Sequence, residues 1–170
     1  SIVFASLVSS KIIGQSVFDK VLMNRNINLD LGDESLILKS IKIRDIFEKK
    51  CLRFYENDKV VDVIRNLTSK KTSDGFVINS EGILLNKLEL HQLVNIKKNI
   101  KLKELKKNKY LQINENENIF NAIDICKDFI GESIPVINNK KVFVGIITES
   151  DLFNVYIKTL RNQRELESQN

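Results

Sequence analysis

The chain is short of the residues that usually punctuate, cross-link or arm a fold. Its 170 residues include one Pro, one His, two Cys, one Met, six Gly and no Trp. Cys51 and Cys126 have no metal spacing and no local His. That argues against a zinc site or thiol catalysis, and both read as small buried hydrophobes in a reducing compartment. The lone histidine, His91, lies on a polar stretch and reads as a surface residue. No Ser/His/Asp triad, paired-carboxylate site or glycine-rich phosphate loop is present, so the chain is not expected to be an enzyme. Charge imbalance is small: 27 Lys+Arg against 22 Asp+Glu give +5. The surplus lies in the tract from Lys97 to Lys109, which has no aromatic interleaving and so does not suggest nucleic-acid stacking. It reads first as a solvated helix face, with anionic lipid or phosphate as the rival reading.

What is present suits a folded domain. Hydrophobic residues make up 42% and charged residues 29%, and the length allows one sizeable domain or two small ones. The chain begins with Ser and opens on an apolar run (Ile2, Val3, Phe4, Ala5, Leu7, Val8, Ile12, Ile13), which suggests a piece of a longer protein. That run falls short of the ~20 apolar residues needed to span a bilayer. It lacks the basic start of a signal peptide. It suits the end of a truncated membrane helix. Gly14 breaks it, and Ser16, Val17, Phe18, Val21, Leu22 and Met23 begin a second helix that turns polar at Asn24. A helical hairpin packed on the rest of the chain is an equal alternative. Asn28 to Ser35 reads as a linker.

The remainder is a duplication. Ile41 to Ile46 matches Ile100 to Leu105, Leu52 to Asp58 matches Leu111 to Glu117, Val60 to Ile64 matches Ile119 to Ile123, and Val77 to Asn79 matches Val136 to Asn138. All four pairs keep one register. Beyond them the second copy is expected to be four residues longer before its Gly. Each copy carries an amphipathic turn, an alternating strand, an amphipathic helix, a strand, a tight turn, a second strand and a closing helix. In copy one the second strand is expected at Gly82 to Leu85, with its helix starting near Lys87. The helix faces are Val60, Val61, Val63, Ile64 and Leu67 in copy one, and Ile119, Phe120, Ala122, Ile123, Cys126 and Ile130 in copy two. The expected fold is α+β: two tandem βαββα units packed as a pseudo-symmetric pair, preceded by an α-helical segment.

One corner stands out. Gly145-Ile146-Ile147-Thr148-Glu149-Ser150-Asp151-Leu152 reads as a buried strand running into a helix. Thr148 can cap that helix, and Asp151 suits its first turn. The same two oxygens could instead hold the hydroxyls of a sugar.

Two tandem units ending in such a corner resemble a cystathionine-β-synthase-type (CBS) domain pair. Ser133 to Ile137 and Val144 to Leu152 carry the likeness in copy two. Copy one diverges: it reads Gly82-Ile83-Leu84-Leu85-Asn86-Lys87-Leu88-Glu89, with Asn86 and Glu89 as the nearest substitutes for the Thr/Asp pair. The opening segment, from Ala5 to Ser9 and Gly14 to Leu22, looks like the end of a ClC-type chloride channel or transporter membrane domain. Phe18 stands where that family usually has a chloride-binding Tyr, and it lacks the hydroxyl.

The resemblance implies residues 1–32 as the end of a membrane domain, residues 40–95 and 100–160 as CBS domains, and 161–170 as a polar tail. It implies a cytoplasmic module, residues 33–170, that regulates voltage-gated-type chloride transport as a homodimer. No cofactor is required, and an adenine nucleotide is the implied regulatory ligand. Thr148 and Asp151 would hold the ribose, and the loop Thr72-Ser73-Asp74-Gly75-Phe76 would hold the adenine. Ser73 stands where related channels stack an aromatic. The alternative is a nucleotide-sensing CBS pair attached to a soluble enzyme or kinase.

Overall fold

A computed structural model describes residues 32–96 and 99–167. In chain order its elements are α1 (Gly32–Ser40), β1 (Arg53–Tyr55), α2 (Val60–Lys70), β2 (Asp74–Ile78), β3 (Leu84–Glu89), α3 (Leu90–Leu93), β4 (Ile113–Asn114), α4 (Ile119–Cys126), β5 (Ile134–Ile137), β6 (Phe143–Ile147) and α5 (Glu149–Glu167). Short 3-10 turns, Ile43–Asp45 and Leu102–Glu104, precede β1 and β4. The apolar opening segment, with Phe18, lies outside the described residues. Among the described residues no helix is long and apolar enough to cross a membrane. Two compact units emerge. One is Ile43–Glu117 with Glu132–Thr148; the other gathers the described parts of Ser1–Lys42, Asn118–Gly131 and Glu149–Asn170.

The first unit holds two three-stranded sheets, ordered β1-β2-β3 and β4-β5-β6. In each, the first pair is parallel and the second antiparallel. A parallel pair cannot close through a tight turn, so α2 makes the crossover from β1 to β2. Its buried positions Val60, Val63 and Leu67 recur at helical spacing. Lys71 ends the helix in the left-handed region (φ 53°), while the Lys71 and Thr72 N–H groups close onto the carbonyls of Thr68 and Leu67. The central strand β2 is buried at every position. Its alternation sends Val77 into a core with Phe54, Val63, Leu67, Leu88 and Leu93. Phe76 and Ile78 go to a second core with Phe143. Each such burial contributes roughly 1.5–3 kcal/mol.

The duplication is tighter than the sequence suggests. A separation of 59, the spacing of Asp74 from Ser133, holds through the hairpins. Asn79 Oδ1 accepts from the Glu81 and Ile83 N–H groups, and Asn138 Oδ1 accepts from those of Lys140 and Val142. Gly82 (φ 78°) and Lys141 (φ 61°) take the same left-handed place. The expected four-residue insertion is therefore absent. It came from aligning two glycines that do different jobs. Gly82 makes a turn, whereas Gly145 sits inside β6, where a Cβ would run into the Glu48 carbonyl and the Phe47 ring. The counterpart of Gly145 in copy one is Asn86.

Two further expectations change. Copy one's second strand runs from Leu84 to Glu89, and its helix starts at Leu90, not near Lys87. The stretch Asp74-Gly75-Phe76 is the start of β2 and not a loop. The two boundaries share one physical feature: Asp74 and Lys87 are charged residues inside the strands, buried because they pair with each other (below).

The copies also exchange hydrogen bonds reciprocally within this unit. Ile43 and Arg44 N–H donate to the Glu117 and Glu115 carbonyls, while Leu102 and Lys103 N–H donate to those of Asp58 and Glu56. The hairpins meet through an Ile83–Val142 bridge. This is the pseudo-symmetric pairing of two α+β units that the repeat predicts.

In the second unit α1, α4 and α5 pack on one another. They bury Leu38, Ile119, Ala122, Ile123, Cys126, Leu152 and Tyr156. Asn118 caps α4 by accepting from the Asn121 N–H at 2.8 Å. Ile130 does not join the apolar face of α4: the helix ends at Cys126, and Ile130 is 79% exposed.

Candidate ligand site

The sheet unit carries an open cavity of about 510 Å³. Leu52, Phe76 and Ile146 supply apolar wall, with Cys51 beside them. Thr72, Asp74, Ser133 and Thr148 supply polar atoms, and Lys50, Lys70, Glu48 and Glu132 supply charge. The repeat explains why these residues converge. β1 and β2 lie side by side, so the segment before β1 (Glu48 to Leu52) and the start of β2 share one edge. Glu48 and Ile146 exchange both backbone hydrogen bonds at 2.8 Å, which brings β6 to the same edge. Phe76 stacks on Phe143 with ring centroids 4.8 Å apart. The Arg53 guanidinium lies 5.3 Å from the Phe143 ring centre and bonds the Val144 carbonyl, which stiffens that wall.

The electrostatic centre is a buried network. Asp74 is 7% exposed and Lys87 is 3% exposed. Asp74 Oδ2 accepts from the Ser133 N–H at 3.1 Å and from Ser133 Oγ at 2.5 Å. The same oxygen pairs with Lys87 Nζ at 3.0 Å. Lys87 also donates to the Ser133 carbonyl at 2.7 Å and lies 3.6 Å from Glu89 Oε1. A buried charge is tolerable when it is paired and its remaining hydrogen-bonding groups are satisfied. Burial pushes the Cys51 thiol above its ordinary pKa, with Arg53 acting against the shift.

The predicted site residues divide. Thr72, Asp74, Phe76 and Thr148 line the cavity. Ser73 and Gly75 do not belong to the lining. The Ser73 hydroxyl is buried without a hydrogen-bond partner, and its carbonyl accepts from the Leu90 N–H. Gly75 lets β2 approach the core: a Cβ there would lie 2.7 Å from the Phe54 ring. Asp151 stands in the first turn of α5, half-buried. In copy one, strand register opposes Gly75 to Leu88 as Ile134 opposes Ile147. The spacing of 59 then makes Glu89 and Gln92, not Asn86 and Glu89, the counterparts of Thr148 and Asp151.

Sequence reasoning missed Lys87, Ser133, Lys50, Lys70 and Glu48 as site residues. A signal for Lys87 existed. It is a lone charge between Leu85 and Leu88, where the other copy has Ile146. Among the described residues no cluster of His, Cys, Asp and Glu could hold a metal ion.

Known proteins place this architecture. Residues 102–158 match the CBS domain family. The two three-stranded sheets with their helices form the fold of a tandem CBS pair. A CBS domain pair/ACT domain protein from Thermotoga maritima superposes with a TM-score of 0.63 at 15% identity, over 71% of this chain and 99% of that one. The cytosolic domain of the Mg2+ channel MgtE in complex with ATP gives 0.61 at 17% identity, over 72% of this chain and 52% of that one. CBSX2 in complex with AMP gives 0.58 at 14% identity, over 70% and 98%. In sequence, an uncharacterized protein of Methanocaldococcus jannaschii is 26% identical over 152 residues, 88% of this chain. The chain spans about half (49%) of that relative's length.

Proposed function

We propose that this chain is a regulatory CBS pair that binds one adenine nucleotide in the 510 Å³ cavity. It catalyses no reaction itself. The observation that carries the reading is the cavity's composition. An apolar wall of Leu52, Phe76 and Ile146 suits a purine. Thr148 lines the cavity and suits a ribose hydroxyl. Lys50 and Lys70 offer countercharge for phosphates. The volume lies within the range of small-molecule sites, roughly 300–1,000 Å³. Structural neighbours in complex with ATP and with AMP add support. A ligand acts here only by favouring one arrangement of the pair over another.

Its target in this reading is a membrane transport domain of the ClC chloride type preceding it in the same chain, with residues 33–170 on the cytoplasmic side and the pair acting as a homodimer. Support comes from the likeness of Ala5 to Leu22 to the end of such a domain. Neighbours described as cytosolic or soluble parts of magnesium transporters offer a different transport host. Calorimetry on the full chain with AMP, ADP and ATP tests the ligand: saturable heat is expected, with about one site per chain. Thr148→Val should weaken it about tenfold, the loss of one to two hydrogen bonds. No heat with any of the three removes the nucleotide claim. Upstream genomic sequence tests the host: ClC-type membrane spans before Ser1 are expected, and a soluble catalytic domain there would sink it.

A further inference from the structure

We propose that the side-chain carboxylate of Asp74, positioned by Lys87, selects a 6-aminopurine over a 6-oxopurine. This deepens the nucleotide reading above and rests on it. The two oxygens of Asp74 are not alike. Oδ2 takes all of its contacts: the Ser133 N–H, the Ser133 hydroxyl and the Lys87 ammonium. Oδ1 accepts no hydrogen bond from any described residue, yet it is not among the sealed, unpartnered atoms of the interior. Since Asp74 lines the cavity, Oδ1 is the acceptor it offers to an occupant.

Rotation cannot hide that oxygen. Turning the carboxylate would break contacts to Ser133 and to an ammonium that is itself held by the Ser133 carbonyl at 2.7 Å. The acceptor is thus fixed before ligand arrives, and little further ordering is needed on binding. Its surroundings decide what it reads. Leu52, Phe76 and Ile146 make the nearby wall apolar, so a flat ring fits there. With Lys87 as counterion the carboxylate only accepts. A ring bearing an exocyclic amino group satisfies Oδ1. A ring bearing a keto oxygen at that place sets lone pair against lone pair and leaves a buried acceptor unpaired, which is the costly case. A sugar hydroxyl already has Thr148 in the proposed arrangement, so the base is left for Asp74.

Full-chain calorimetry with ATP and ITP tests this, because the two share sugar and phosphates. ITP should bind at least about tenfold more weakly. Asp74→Asn, whose amide can turn either its oxygen or its NH2 to the base, should bring the two within about threefold. Lys87→Met should narrow the same ratio, a change that mere loosening of the fold does not produce. If the Lys87→Met chain is unfolded by circular dichroism, wild type and Asp74→Asn decide alone. Equal affinity of the wild type for ATP and ITP, or an unchanged ratio in Asp74→Asn, overturns the proposal while leaving nucleotide binding intact. Absence of heat with both nucleotides overturns the two together.

Discussion

The two strand-to-helix corners descend from one pattern and have been filled in opposite ways. In copy two the corner is Gly145-Ile146-Ile147-Thr148, and it borders an open cavity. In copy one the same positions are Asn86-Lys87-Leu88-Glu89. Lys87 takes the place of Ile146 and buries its ammonium on Asp74 and the Ser133 carbonyl. Asn86 takes the place of Gly145. Its Oδ1 accepts from the Asn108 N–H at 3.1 Å, while Asn108 Nδ2 donates to the Lys87 carbonyl and to Gln92. Copy one's corner is therefore stapled by side chains at the place where copy two pairs its backbone with a neighbour, Glu48 against Ile146. Backbone pairing leaves side-chain space free. Side-chain stapling fills it.

Breaking the staple should give the largest effect. Lys87→Met leaves Asp74 buried without its counterion, and such a change costs about 3–5 kcal/mol. Denaturant unfolding measures it as a lower midpoint. The comparison is sharpened by giving copy one its partner's residues. Asp74→Ser with Lys87→Ile removes both charges and should restore stability to within about 1 kcal/mol of wild type. If the double variant is no better than the single one, the ion pair is not what holds this corner.

Next in size is the exchange of Gly145 and Asn86. Gly145→Asn places a side chain against the Glu48 carbonyl and the Phe47 ring, and overpacking of this kind costs about 1–3 kcal/mol. Asn86→Gly only loses its bonds to the Lys106–Asn108 segment, about 1 kcal/mol. Melting temperatures of the two variants should therefore fall unequally, with Gly145→Asn lower. Equal losses would mean that the glycine is not required by close approach.

These residues also show what the sequence could and could not yield. The fold class was legible because the duplication repeats its apolar periodicity twice. Val63 and Leu67 on α2, and Ile119, Ala122 and Ile123 on α4, fall where a helical face requires. Thr148 was legible because a β-branched run ends at it. The limits of β2 and β3 were not. Asp74 and Lys87 are charged, and charge in a single sequence marks exposure unless the partner is known. That partner lies across the sheet, with Asp74 opposite Glu89 and Phe76 opposite Lys87. Only the register reveals it. The cavity lysines Lys50 and Lys70 had no signal of their own, since nothing local distinguishes them from the exposed lysines of the 101–109 tract.

The smallest effect separates the cavity wall from the helical unit by their thiols. At the spacing of 59 the counterpart of Cys51 is Tyr110, so the open cavity has a small, titratable wall where copy one's counterpart surface has a larger ring. Cys51 is half-buried and lines the cavity. Cys126, in the helical unit, is buried, and burial with Glu149 nearby pushes its thiol up to about 12. The thiolate is the nucleophile. At pH 8.5 iodoacetamide should therefore modify Cys51 first and Cys126 hardly at all in the folded chain, with both fast in denaturant. Peptide mass mapping over time reads the order. The sign for stability follows. Both folded pKa values are raised, so the unfolded thiols, ordinarily near ~8.5, ionise first as pH climbs. Stability is unaffected by these groups at neutral pH and falls from ~8.5 upward, for Cys126 until about 12. Adding ATP should slow Cys51 alkylation severalfold and leave Cys126 unchanged. Equal protection of both would indicate general tightening of the fold, and protection of neither would place the nucleotide outside the wall that Cys51 shares.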